Sequence, residues 1–211
     1  FAGELALVLR ATAREASGDV AVSEAGFTVR VAPVVDGAAL GGAAAGLEDS
    51  WIPLEVAFGV SPDPSEHWDG RVLIHGVPEG AALSHGAALG GGVWAVEQAA
   101  LAAGQVALRP PAHSDAPIAL RVEAVMHDTD GAGASRTIVA EVAVTVRGVA
   151  DAPEVAAADV AGLEDGAVAL ELRAALADRD GSEVLELRLE GVPDGAVLSA
   201  GTRGADGAWV L

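Results

Sequence analysis

Apolar and polar residues alternate along much of the chain. Ile118, Leu120, Val122, Ala124 and Met126 are interleaved with Arg121, Glu123 and His127. Ile138, Ala140, Val142, Val144 and Val146 alternate in the same way with Glu141, Thr145 and Arg147. Val168, Leu170 and Leu172 alternate with Glu171 and Arg173, and Leu185, Leu187 and Leu189 with Glu186, Arg188 and Glu190. Successive side chains of a strand point to opposite faces, so a period of two predicts strands with one buried face. Turn chemistry punctuates these runs at Asp130-Gly131, Asp180-Gly181, Pro193-Asp194-Gly195 and Asp206-Gly207. Only Glu97 to Ala103 leans towards helix, and it stops at Gly104.

The pattern also repeats. Gly46-Leu47-Glu48-Asp49 returns as Gly162-Leu163-Glu164-Asp165, 116 positions later. Gly76-Val77-Pro78-Glu79-Gly80-Ala81 returns as Gly191-Val192-Pro193-Asp194-Gly195-Ala196, 115 positions later, followed in each case by Leu-Ser and then Trp94 or Trp209. Leu7, Leu9 and Ala11 match Leu120, Val122 and Ala124 at an offset of 113. Val29, Val31 and Asp36 match Val144, Val146 and Asp151 at 115. Self-similarity at a fixed period is the signature of a repeat architecture. The expected organisation is the end of one repeat in residues 1–37, a complete repeat in residues 38–153 and the first part of a third in residues 154–211. About seven short strands per repeat suit a two-sheet sandwich of immunoglobulin type. The expected fold class is therefore all-β, built from tandem immunoglobulin-like β-sandwich repeats. Phe1 opens directly into strand-like alternation and Leu211 lies in an apolar run, so the chain reads as a window cut from a longer array.

Composition narrows the chemistry. The 211 residues carry a net charge of −19, with 31 acidic and 12 basic side chains. All the basic residues apart from histidine are Arg. This acid excess argues against nucleic-acid partners, which need a basic footprint. It suits hard cations. With no Cys, disulfides, thiolate zinc sites and thiol catalysis are excluded. No stretch is long and apolar enough to predict membrane insertion. There is no Gly-x-Ser-x-Gly elbow, no His-Glu-x-x-His and no phosphate loop, so no enzyme is expected.

The carboxylates gather at turns and repeat boundaries. Asp178-Arg179-Asp180-Gly181-Ser182-Glu183 lies between two predicted strands, Glu164-Asp165 and Glu48-Asp49 at strand breaks, Asp151 at a repeat junction, and Asp128 at the end of a strand. Calcium takes six to eight oxygens from carboxylates, carbonyls and water. The Asp-x-Asp-Gly-Ser-Glu run offers three carboxylates around a flexible Gly, without the spacing of an EF-hand. Its counterpart one repeat earlier, Pro62-Asp63-Pro64-Ser65-Glu66, is poorer in acids, and weaker metal binding is expected there. Glu164-Asp165 and Asp178 are one strand apart, which leaves open whether they serve one junction or two. The five His residues, at 67, 75, 85, 113 and 127, show no tight ligand spacing and are expected to be exposed and inert.

In order along the chain, Leu-Glu-Asp-Gly, Asp-x-Asp-Gly-Ser-Glu, Gly-Val-Pro-x-Gly-Ala-x-Leu-Ser and Asp-Gly-x-Trp resemble the tandem cadherin-like repeats of giant bacterial RTX-type adhesins. The Val149-Ala150-Asp151-Ala152-Pro153 linker and Pro110-Pro111 are similar to that family too. The resemblance implies calcium at the linkers, type I secretion, an extracellular or cell-surface location, and a part in adhesion or biofilm formation. It carries Asp151, Glu164, Asp165, Asp178, Asp180 and Glu183 over as ligands. Implied partners are calcium ions, neighbouring repeats of the same chain and cell-surface or matrix ligands. Two other readings stay open: a carbohydrate-binding module and an accessory domain of a secreted enzyme. Trp94 and Trp209 share one repeat position and are expected in the core, whereas Trp68, set between Glu66 and Asp69, is the residue a ligand-binding module would use.

Overall fold

A computed structural model describes residues 2–211. The chain is all-β apart from one short helix. In order it forms β1 (Gly3–Arg14), β2 (Val20–Val31), β3 (Leu40–Leu47), β4 (Ile52–Pro53), β5 (Glu55–Phe58), β6 (Glu66–His75), β7 (Ala82–Leu83), β8 (Ala87–Gly90) and β9 (Val93–Glu97). Helix α1 (Gln98–Ala102) follows, then β10 (Ala107–Arg109), β11 (Ile118–Asp128), β12 (Ala134–Arg147), β13 (Glu154–Ala157), β14 (Leu172–Ala175), β15 (Arg188–Leu189), β16 (Thr202–Arg203) and β17 (Trp209–Val210). Among the described residues, no helix is long and apolar enough to cross a membrane.

The central unit is a sandwich. A seven-stranded sheet in the order β5-β3-β12-β11-β6-β9-β8 faces a three-stranded sheet, β4-β10-β7. All pairs are antiparallel except β3 with β12. The alternating residues of β11 and β12 point inward as the pattern requires. Leu120, Val122, Val142 and Val144 meet Ile52 and Leu108 from the facing sheet and Val72 and Ile74 from β6 in one core. Burying a large aliphatic side chain of this kind contributes about 1.5–3 kcal/mol. Helix α1 closes one side with Leu101, and Gly104, in the left-handed region, ends it.

The flanking segments expose the faces that the centre buries. In the β1–β2 hairpin, Leu7 pairs with Phe27, as Leu120 pairs with Val142 in the centre at offsets of 113 and 115. Yet Leu7 and Phe27 are 42 % and 51 % exposed, against 0 % and 1 % for Leu120 and Val142. In residues 154–211 the period-two runs at 168–172 and 185–189 were expected to be strands. Only Leu172–Ala175 and Arg188–Leu189 are laddered. The reason is partnership: β6 lies between β11 and β9, whereas β15 pairs with β17 alone. A strand is registered only where neighbouring backbone takes up its N–H and C=O groups.

Local geometry recurs at the repeat offsets. Asp49 and Asp165, the same position of the Gly-Leu-Glu-Asp motif, both take the left-handed backbone, with φ of 54° and 55°. Gly86 and Gly201 have φ of 102° and 88°. A Cβ on Gly86 would stand 2.5 Å from the Ala95 carbonyl oxygen, and one on Gly201 2.5 Å from the Val210 oxygen, which is Ala95's counterpart. Both positions demand Gly for backbone conformation and for space.

Candidate metal centre

Two joints flank the sandwich, at opposite ends of the long β11–β12 hairpin. The first, around Asp36 and Gly37, leads from the N-terminal hairpin. The second, residues 148–153, leads into the C-terminal segment. There the acidic motifs of two successive segments meet.

Glu48 opens the turn after β3, next to the last residue of β12, and is only 3 % exposed. Its backbone N–H donates to the Arg147 carbonyl, and the Val149 N–H donates to its Oε1 at 2.5 Å. Its Oε2 is buried and accepts nothing. Facing it, the loop after β14 brings in Asp178 and Asp180. Asp178 is 2 % exposed. The loop is shaped by its own acids: the Asp180 N–H donates to Asp178 Oδ1 at 2.8 Å, the Ser182 N–H to Asp180 Oδ1 at 2.8 Å, and the Ser182 hydroxyl to Asp178 Oδ2 at 3.0 Å. Gly181 makes the reversal with φ of 96°. Hydrogen bonds from the Ser182 hydroxyl and N–H hold the Asp180 carboxyl below the ordinary carboxylate range.

One carboxylate oxygen each from Glu48, Asp178 and Asp180 lie within 4.8 Å of one another. Ligands on opposite sides of a calcium ion stand about 4.8 Å apart, since each Ca–O bond is about 2.4 Å. The three oxygens therefore fit one coordination shell. Glu183 clamps the linker from the same side: the Asp151 N–H donates to its Oε1 at 2.6 Å, while its Oε2 is buried without a partner. An open cleft of about 600 Å3 lies beside them along the linker, lined by Glu48, Asp115, Gly148, Asp151 and Glu183 among others. An all-oxygen donor set suits a hard cation. Two buried carboxylate oxygens with no donor are costly in any protein and become favourable against a cation.

Beside it lies a second cluster. His113 Nδ1 is 2.6 Å from Asp151 Oδ2 and 3.4 Å from Asp49 Oδ2, and the His113 backbone N–H donates to Asp49 Oδ1 at 3.1 Å. The hydrogen bond to Asp151 is the main cause that raises the His113 pKa, helped by the nearby Asp49, Asp151 and Asp178 charges and opposed by desolvation. His113 was expected to be inert, and the fold makes it part of the joint. Asp115 also went unnoticed in the sequence. It holds the joint through its N–H, 3.5 Å from Asp180 Oδ2, and its carboxylate reaches the space beside Gly148. The available signal was their place, just after Pro110-Pro111 and before β11.

Three expected ligands lie elsewhere. Glu164 and Asp165 sit in an exposed turn of the C-terminal segment and join neither cluster. Their position copies that of Glu48 and Asp49, so the pairing across the joint runs from one segment's Glu-Asp to the next segment's Asp-x-Asp. Asp128 lies at the opposite end of β11, by the first joint, where its Oδ1 accepts from the Ser65 hydroxyl and the Asp130 N–H. Trp68 Nε1 donates to the Gly59 carbonyl at 2.8 Å and its ring meets Phe58 edge-on, 5.4 Å between centroids, against the core.

No protein-family model matches the chain, and no curated protein matches it either.

Proposed function

We propose that this chain is an extender region of a large secreted adhesin, made of tandem immunoglobulin-like sandwiches that calcium stiffens at their junctions. The resemblance of its ordered motifs to cadherin-like repeats of RTX-type adhesins supports the class, and with it export by type I secretion to the cell surface and a role in attachment or biofilm formation. The matched register of the two long hairpins and the recurrence of strained backbone at the repeat offsets support tandem repetition.

One observation carries the calcium reading: Glu48 from one segment and Asp178 and Asp180 from the next converge across the joint with a buried Glu48 oxygen lacking any donor. Without a cation these like charges repel and drive the joint open. A divalent ion reverses the sign and ties the segments together. Calcium-poor cytosol would leave such joints slack before export, and calcium-rich surroundings would set them.

Calcium titration by calorimetry, with small-angle scattering of the 211-residue chain, tests this. Binding heat and a more extended, narrower distance distribution in calcium than in chelator are expected. No heat and superimposable scattering curves would refute the reading.

A further inference from the structure

We propose that His67 and His127 form a cross-strand site for a late first-row divalent cation of the copper, nickel and zinc class, on the outer face of the large sheet. The site is chemically distinct from the all-oxygen joint, and it stands whether or not calcium binds there.

Strands β6 and β11 run antiparallel, with His67 directly opposite His127, between the Trp68–Met126 and Glu66–Asp128 pairs. Met126 and Asp128 are buried, at 1 % and 5 % exposure. Strand alternation therefore turns both imidazoles out of the sandwich, where His67 is exposed and His127 half-buried. Facing side chains on paired strands start from Cβ atoms about 4.5–5.5 Å apart, close enough for two rings to share an ion. The ring centroids lie 5.8 Å apart, with 34° between the planes. Two metal–nitrogen bonds of about 2.1 Å, added to about 1.1 Å from each ring centre to its nitrogen, let two centroids stand up to about 6.4 Å apart on one ion. The observed separation falls inside that reach. Both rings line one open cleft of about 550 Å3 with Thr129, Gly133 and Ser135, so the other positions around an ion face solvent.

The donor chemistry selects the ion. Imidazole suits copper, nickel and zinc, whereas calcium takes oxygens. With no Cys in the chain, the five His rings are the side chains that this class of cation prefers. Three of them are already engaged: His75 lies 3.6 Å from Glu123, His85 3.0 Å from the Ser84 hydroxyl, and His113 2.6 Å from Asp151. His67 and His127 face each other. They are 60 positions apart in the sequence, so only the strand register shows that they form a pair.

The repeat pattern does not call for imidazole at either position. The offset that matches Leu7 to Leu120 puts Arg14 where His127 stands, and Val184 follows Glu183 as His67 follows Glu66. The pair also sits where a tie would matter. The ladder between β6 and β11 slips between Ala124 and Met126, and the His pair is the middle one of the three residue pairs beyond that slip. An ion held by both rings would fasten this end of β6 to β11.

The 211-residue chain carrying His113→Gln, which removes the one ring at the joint, is titrated with Cu2+ in excess calcium. One Cu2+ should bind, and pulsed electron paramagnetic resonance should show two imidazoles on it. His67→Ala and His127→Ala should each leave one imidazole. Each should also weaken binding at least about tenfold, because a second ring on the same sheet acts at high effective concentration. A single imidazole in the spectrum before either substitution, or an affinity that neither substitution changes, would overturn the inference. Sedimentation of the copper-loaded chain should give an unchanged mass. A doubled mass would place the two rings on different chains and would overturn it as well.

Discussion

Replacing Glu48 by Gln should stabilise the calcium-free protein and weaken the calcium-bound one. The side chain keeps its shape, and the amide oxygen can still accept from the Val149 N–H, which now meets Oε1 at 2.5 Å. What changes is the charge. Carboxylate oxygens of Glu48 and Asp178 lie within 4.8 Å, and both residues are almost wholly buried. At an effective dielectric of about 20, two unit charges at that distance repel by about 3.5 kcal/mol. Salt and water in the open cleft screen part of this, so the expected gain in chelator is about 1–3 kcal/mol. The new amide also gives the facing acids a donor. Hydrogen exchange at the Asp151 and Asp180 amides, both bonded within the joint, reads the local opening free energy. Protection in chelator should rise about tenfold, since about 1.4 kcal/mol is a factor of ten. With calcium at about a hundred times its Kd the parent protein gains about 2.7 kcal/mol, and the variant should gain less than half of that. Glu48→Ala, which also removes the Val149 acceptor, should be less protected than Glu48→Gln in chelator. Lower protection of Glu48→Gln than of the parent in chelator would show that Glu48 is a structural acceptor and not a ligand kept for a cation.

Three further outcomes follow from the same geometry. Asp178→Ser should cut calcium affinity at least tenfold by calorimetry while leaving the thermal unfolding of the central sandwich unchanged. Leu120→Ala should cost about 3 kcal/mol in urea unfolding, whereas Leu7→Ala at the matching but half-exposed position should cost less than about 1 kcal/mol. His113 should titrate by NMR above the ordinary histidine value in chelator, because its bond to Asp151 favours the charged ring. A raised folded-state pKa means that this contribution is full below about pH 6.5 and is lost as pH rises through the folded value, so amide protection at the joint should fall over that window in the parent and not in His113→Gln; a midpoint at or below the ordinary value would refute it.

Strand identity was legible where the chain supplies its own partners. The alternation in β11 and β12 predicted both strands because each finds hydrogen-bonding neighbours and a facing sheet that buries its apolar side. The same alternation at 185–189 yielded only Arg188–Leu189, because period two reports which face is greasy and not whether a neighbour is present to complete the ladder. The acidic loop at 178–183 was legible as a carboxylate cluster from its spacing. Glu48 was a candidate too, but its pairing with that loop was not legible. Glu48 lies 130 positions upstream of Asp178 and reaches it only because β3 runs beside β12 and ends at the linker. His113 and Asp115 arrive on a loop with no metal-ligand spacing of their own. Pairing across a joint is a property of how two segments sit on each other, and a linear pattern carries no record of it.

The contrast between the two joints bears on why the acidic residues are where they are. Buried carboxylates ordinarily recruit donors, and Glu66 does so with the Ser61 hydroxyl and two backbone N–H groups. At the second joint only the Asp151 N–H reaches Glu183 and Asp178 stands where Ser61 gives Glu66 a donor, leaving oxygens of Glu48 and Glu183 unserved. A serine at position 178 would remove one negative charge, and with it the acceptor of the Ser182 hydroxyl. On the calcium reading proposed above, Asp178 makes the joint weak without a cation and strong with one. On that view the net charge of −19 is not a uniform surface property. On the proposed reading, part of it is concentrated where a cation would tie two segments together.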